Sequence, residues 1–294
     1  MVLEQDWLAA QLQSNPQGLA LVAGNVRWTY AQLEQQVRQW CARLRRAGVR
    51  PAQRVGVWLP NCVEYVCLIH ALARLGAVLV PLNVRLSHAQ ISVQLTQARC
   101  EVLVCHRGTT PALPPPCRQL TLDELQSITL DELQSITLDE THPGGRLEMN
   151  RLHCIVFTSG TTGQAKGVRL TYANHFYSAL GSAFRLGVLP QDRWLLCMPL
   201  YHVGGLAIVW RCCLYGIALV LQAGFDAQAA AQCVRNHHVS LLSLVPTMLH
   251  RLMPFWEKEA PAGVRCILLG GAAVPSSLLQ RALRANLPVA LTTV

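Results

Sequence analysis

The sequence predicts an α/β protein in which helices are layered on buried, largely parallel sheets. Three observations lead there. Short apolar runs alternate with segments of helical periodicity. Several of those segments open on a capping pair. Apolar residues make up 51% of 294 and charged residues only 14%, enough apolar surface for a large core.

The first clear helix is expected over 30–47. Thr29 and Gln32 have capping-box spacing, Leu33, Val37, Trp40, Cys41 and Leu44 make one apolar face, and Gly48 supplies the stop. An apolar strand over 54–59 ends at Pro60. Asn61 is then expected to cap a helix reaching about 75, with a further strand over 77–81. Ser87 and Gln90 form a second capping box and open a helix to about 98. Residues 107–148 break the rhythm. Pro111, Pro114, Pro115 and Pro116 mark a loop, after which the octapeptide beginning at Thr121 recurs at Thr129 and starts again at Thr137. Eight residues turn a helix about 80° beyond two full turns, so a repeat of this length makes no single apolar stripe. A tandem duplication in a surface loop is the expectation, in preference to a solenoid or binding element. Beyond it, strands are expected at 154–158, 194–198, 218–221, 241–245 and 266–269. Helices are expected at 172–186, 227–236, 246–253 and 275–285, and the final apolar run over 287–294 reads as a core strand.

Composition narrows the function classes. The N-terminus has no basic segment before an apolar run, so no secretory signal is expected. The longest uncharged apolar stretches, 194–210 and 212–225, are short for a membrane span and are interrupted by Pro199, His202, Gly216 and Gln222. The twelve cysteines include no Cys-x-x-Cys pair and read as free thiols in a reducing compartment, so the expected location is cytoplasmic, with no metal site or disulfide framework. The net charge of +9 is spread along the chain, which argues against a nucleic-acid partner and suits an enzyme of acidic small molecules. Only two of the 25 basic residues are lysines, Lys166 and Lys258.

Lys166 lies in the segment that carries chemistry, Phe157-Thr-Ser-Gly-Thr-Thr-Gly-Gln-Ala-Lys-Gly-Val168. A buried strand runs into Thr158, Ser159, Gly160, Thr161, Thr162 and Gly163. Glycines let successive N–H groups converge on an anion, hydroxyls add donors, and Lys166 adds a mobile positive charge. This is the kit for a polyphosphate. It is not a Walker A motif, because Gly167 follows the lysine and Ala165 precedes it. A plain flexible surface loop is the alternative, but such a loop has little reason to follow a buried strand.

The segment closely resembles the signature loop of the acyl-adenylate-forming superfamily, with Ala165 where a proline is usual. Other stretches agree in order: 25–54, 59–81, Pro199-Leu-Tyr-His-Val-Gly-Gly205 and Leu268-Leu-Gly-Gly-Ala-Ala273. The resemblance implies the large N-terminal domain of such an enzyme over 1–294, with layered α/β sheets. The loop would hold the ATP phosphates, and His202 would lie near the substrate carboxylate and α-phosphate. On its own chemistry, His202 could be a satisfied core histidine, which a lone histidine more often is. Gly270 and Gly271 would line the adenine and acyl pockets, or serve as an ordinary strand-to-helix turn. Within the superfamily, the Trp210-Arg211 pair and Ser243-Leu-Val-Pro-Thr247 resemble the o-succinylbenzoate–CoA ligases of menaquinone and phylloquinone synthesis. Arg211 stands in an otherwise uncharged stretch, where a charge is costly unless paired. It is the candidate for the substrate's second carboxylate, with Ser243 and Thr247 beside it; a surface arginine at a helix end is the alternative. The implied small molecules are an aromatic carboxylic acid, ATP with Mg²⁺, and CoA. The chain stops where an adenine-stacking Tyr-Gly-x-Thr-Glu motif would follow, so the resemblance implies an incomplete form without the C-terminal lid domain, weakly active or inactive as it stands. A non-catalytic nucleotide-binding remnant, or a ligase for another aromatic or fatty acid, remains open at this point. Nothing in the sequence speaks to oligomeric state.

Overall fold

Two sheets organise the chain, and helices pack on both faces of each. A computed structural model describes residues 6–108, 111–129, 147–158, 165–257 and 260–292. Helix α1 (Trp7–Ser14) begins at Asp6, whose carboxylate accepts from the N–H groups of Leu8 and Ala9. The hairpin of β1 (Leu19–Ala23) and β2 (Val26–Thr29) leads into α2 (Tyr30–Arg46), with the Thr29–Gln32 capping box formed as the spacing predicts. Next come β3 (Arg54–Trp58), α3 (Val63–Leu75), β4 (Val78–Pro81), α4 (His88–Ala98), β5 (Val102–Cys105), β6 (Arg118–Thr121) and α5 (Leu122–Ser127). β7 (Leu152–Thr158) and β8 (Lys166–Thr171) precede α6 (Tyr172–Leu186). The remainder is β9 (Arg193–Leu196), α7 (Val203–Tyr215), β10 (Ala218–Leu221), α8 (Ala227–Asn236), β11 (Leu241–Leu244), α9 (Pro246–Trp256), β12 (Cys266–Leu269), α10 (Ser276–Arg284) and β13 (Val289–Leu291).

The first sheet has the order β6-β5-β3-β4-β7-β8 and the second β13-β12-β11-β9-β10-β1-β2. Pairing is parallel except for β1 with β2 and β7 with β8. The largest apolar cluster joins the inner faces of both sheets, through Val55, Val57 and Leu79 on one side and Trp194, Leu196 and Leu219 on the other, with α2, α3 and α7 between them. A second cluster covers the outer face of the seven-stranded sheet with α8, α9 and α10, and a third covers the other outer face with α4. The result is α–β–α–β–α layering, as the unbroken apolar strands require.

Within the middle layer, Arg74 donates to Asp6 and to both oxygens of Glu34, at 2.7–2.9 Å, and all three side chains are nearly inaccessible. Burial by itself would raise the Asp6 carboxyl, but the Arg74 guanidinium outweighs it and holds the group below the usual carboxylate range.

Three expectations need correction. Asn61 does not cap α3; Cys62 takes that place without a side-chain bond, because the Asn61 amide is committed to the other sheet. Lys166 opens a strand, β8, where loop was expected; that strand is mostly solvent-exposed and carries no apolar run. The first octapeptide copy is not surface loop either. Thr121 and Glu124 form a capping box, and Leu122 and Leu125 are buried. The later copies fall at 130–146, outside the described residues. The final run is an edge strand, β13, with Leu291 about half exposed.

Candidate functional site

The C-terminal ends of strands from both sheets converge on one cavity of about 440 Å³. Pro60 and Asn61 follow β3, Arg85 follows β4, Met198 to His202 follow β9, and Val245 and Thr247 follow β11. In open α/β sheets this end of the strands is where ligands bind. Two arginines face the space, Arg85 and Arg251, the latter stacked over Phe225. Among the described residues no aspartate or glutamate lines it. The cavity is therefore built for anions.

The glycine- and hydroxyl-rich segment leaves the sheet at the same end. β7 is parallel to β4, which places Thr158 with the residues that follow Pro81. Thr158 pairs directly with Lys166 across the antiparallel β7–β8 ladder, so both ends of the loop are held. Gly167 is required for packing, since a Cβ there would lie 2.8 Å from Ile155 Cγ2. Ser159, Gly160, Thr161, Thr162 and Gly163 lie outside the described residues. Thr158 and Lys166 are both exposed.

His202 lines the cavity at the N-cap of α7, solvent-accessible and edge-on to Tyr201 at 4.7 Å. It makes no capping bond. Partial burial and then the Arg85 charge lower its pKa, so it is neutral at pH 7 and able both to donate and to accept. It is not the satisfied core histidine of the alternative reading. Two neighbours fix its position. Gly205 lets α7 start against the preceding turn, because a Cβ there would meet Pro199 O at 2.3 Å. Asn61 donates to Met198 O (2.9 Å) and Gln222 O (3.2 Å) and accepts from Leu200 N (2.9 Å), tying the loops after β9 and β10 to the first sheet. Sequence reasoning missed this role of Asn61.

The remaining candidates form a second group. Thr247 shares the cavity with His202. Arg211 and Ser243 are not part of its wall; they meet at Trp194, whose indole N–H donates to Ser243 Oγ (3.1 Å) and whose ring lies 5.4 Å from the Arg211 guanidinium. Arg211 is largely buried, its Nε makes no hydrogen bond, and no carboxylate pairs with it among the described residues. Burial pushes its pKa down. Gly270 and Gly271 sit at the end of β12, next to β11. A Cβ on Gly270 would strike Thr292 Oγ1, and Gly271 has φ +80° with Val245 against it. The Thr292 side chain leaves no room for a Cβ at Gly270, and the left-handed backbone at Gly271 favours glycine.

The model of the family described as "AMP-binding enzyme" matches residues 8–292. The chain belongs to that family. Among AMP-binding enzymes it is 34% identical to the 2-succinylbenzoate–CoA ligase of Bacillus licheniformis, over 97% of this chain and 58% of that protein. It superposes on the o-succinylbenzoate coenzyme A synthetase of Bacillus subtilis, in complex with ATP and magnesium ion, with a TM-score of 0.90 and 31% identity, over 97% of this chain and 58% of that one. The inhibitor-bound N-terminal domain of FACL13 from Mycobacterium tuberculosis matches with a TM-score of 0.85 at 29% identity, over 99% of this chain and 76% of that one. The chain thus spans a little under three-fifths of the length of the ligase relatives named here. No helix among the described residues is long and apolar enough to cross a membrane.

Proposed function

We propose that residues 1–294 form the nucleotide- and acid-binding unit of an AMP-forming acid–CoA ligase acting on o-succinylbenzoate. The observation that carries the reading is the pairing of an anion-suited cavity, walled by neutral His202, with a glycine-rich hairpin that opens on the same sheet edge. In the first step the substrate carboxylate attacks the α-phosphorus of ATP and pyrophosphate leaves; in the second the CoA thiolate attacks the acyl carbon and AMP leaves. The protein's part is positioning and charge stabilisation. Loop 158–167 holds the polyphosphate, Lys166 offsets its charge, and His202 donates to the reacting carboxylate or α-phosphate. Mg²⁺ bound on the nucleotide neutralises the phosphates.

The aromatic dicarboxylate is favoured over a fatty acid by Arg211. A buried, idle guanidinium Nε is costly, and a substrate carboxylate, met directly or through water, would relieve that cost. The ligase relatives are named for o-succinylbenzoate and coenzyme A; menaquinone or phylloquinone synthesis is the setting that the resemblance implies. Twelve cysteines, none in a disulfide, fit a reducing, cytoplasmic setting.

The test is binding, because the chain spans only part of its relatives. Calorimetric titration of the 294-residue chain with o-succinylbenzoate, in the presence of ATP, should give a saturable heat that Arg211→Met weakens at least tenfold. A fatty acid of similar length should bind equally to both proteins. Equal o-succinylbenzoate affinity in the two proteins would remove the substrate assignment.

A further inference from the structure

Away from the cavity, three potential metal ligands meet inside the protein. His153, Cys154 and His175 are all buried, and their ring nitrogens and sulfur lie within 4.8 Å of one another. Consecutive strand residues normally send their side chains to opposite faces, so His153 and Cys154 should diverge. They do not, because the β7–β8 register shifts between Leu152 and Cys154, leaving His153 as the extra residue of a bulge. Bulges re-aim side chains in this way. β8 then runs directly into α6, which brings His175 to the pair. Spacing along the sequence gave no sign of this cluster.

The His153 imidazole points to a ligand, and its neighbours are spaced to share one. Cys154 Sγ and His175 Nε2 are in hydrogen-bond contact at 3.5 Å. Bonds of about 2.3 Å to sulfur and about 2.0–2.1 Å to nitrogen, at tetrahedral to trigonal angles, put such donors about 3.5–3.8 Å apart. Independently, both ring nitrogens of His153 are buried with no hydrogen-bond partner among the described residues. An imidazole must carry one donor or acceptor on each nitrogen, and leaving both idle in the core is unfavourable. The walls are aromatic: the Trp210 and Tyr172 rings each stand 4.9 Å from His153.

We propose that His153, Cys154 and His175 bind a soft monovalent cation, Cu(I). Charge decides the ion. Cu(I) with one thiolate and two neutral imidazoles is electrically neutral, which suits a dry aromatic site. Zn²⁺ in the same place would leave a net positive charge in the core and lack its usual fourth ligand, since no fourth donor joins the cluster among the described residues. On binding, the Cys154 S–H proton leaves to solvent, the sulfur forms the Cu–S bond, and each imidazole donates a lone pair. No electron is transferred. The ion would clamp the start of β7 to the start of α6.

The test is anaerobic titration of the 294-residue chain with Cu(I) against a chromophoric Cu(I) chelator. One equivalent should be withheld from the chelator by the parent and lost in His153→Leu and His175→Asn. X-ray absorption of the one-equivalent complex should give one sulfur and two imidazole nitrogens. Because thiols in general have affinity for Cu(I), the ligand set decides: a sulfur-only environment, or retention unchanged in both variants, overturns the proposal. If the variants fail to fold, the parent's absorption spectrum decides alone.

Discussion

Replacing Asn61 with alanine should loosen the turn that carries His202, and its cost follows from the structure. The buried amide makes three hydrogen bonds to backbone groups after β9 and β10, at 2.9, 3.2 and 2.9 Å. Each is worth about 1 kcal/mol net, and a stranded buried N–H costs about 1–3 kcal/mol. Leu200 is fully buried, so its N–H bears the larger penalty. The adjoining cavity can admit water to the two carbonyls. The expected loss is about 2–4 kcal/mol. Urea unfolding should show it as a lower midpoint at an unchanged slope. Asn61→Asp sharpens the test. The carboxylate still accepts from Leu200 N–H but faces two carbonyl oxygens, so folding favours its protonated form and raises its pKa. The penalty is therefore full at pH 7 and recedes as pH falls through the folded pKa. An alanine variant within 0.5 kcal/mol of the parent would refute the reasoning, as would an aspartate variant whose penalty does not change with pH (thresholds on the order of the measurement error).

Two further predictions concern buried charge. Arg74→Met strands the Asp6 and Glu34 carboxylates in the middle layer and should cost about 3–5 kcal/mol, measured by thermal or urea unfolding. In the parent, the depressed Asp6 pKa means that its contribution is present above the unfolded value and is lost as pH falls through the folded one; that acid sensitivity should shrink in the variant. Arg211→Met is expected to change stability little. Relief of the idle buried Nε offsets loss of the cation–π contact with Trp194, so the ligand-free protein should stay within about 1 kcal/mol of the parent on unfolding, and a larger loss would contradict that balance.

The parts of the fold written in local chemistry were legible in the sequence. The Thr29–Gln32 and Ser87–Gln90 boxes formed as spaced, because each depends on residues three apart. The helix Tyr172–Leu186 and the strand Cys266–Leu269 also fall at the expected bounds. What stayed hidden depends on distance or on absent pattern. Asn61 is polar and stands just before a helix, so it reads as a cap; its partners lie 137 to 161 residues away. β8 has the composition of a loop because it is a largely exposed edge strand, held by β7 alone. At the site, His202 and Thr247 were placed together by resemblance and share one cavity, while Arg211 and Ser243 meet instead across Trp194. The His153–Cys154–His175 cluster hangs on a bulge, which no residue pattern announces.

The central claim is that the β7–β8 hairpin grips a polyphosphate through Lys166. The most direct measurement compares ATP and AMP binding to the 294-residue chain with and without Lys166→Ala. The parent should bind ATP more tightly than AMP, and the variant should lose about tenfold in ATP affinity while its AMP affinity and unfolding midpoint stay put. Equal affinity for ATP and AMP in the parent, or an ATP affinity indifferent to Lys166, would contradict the account.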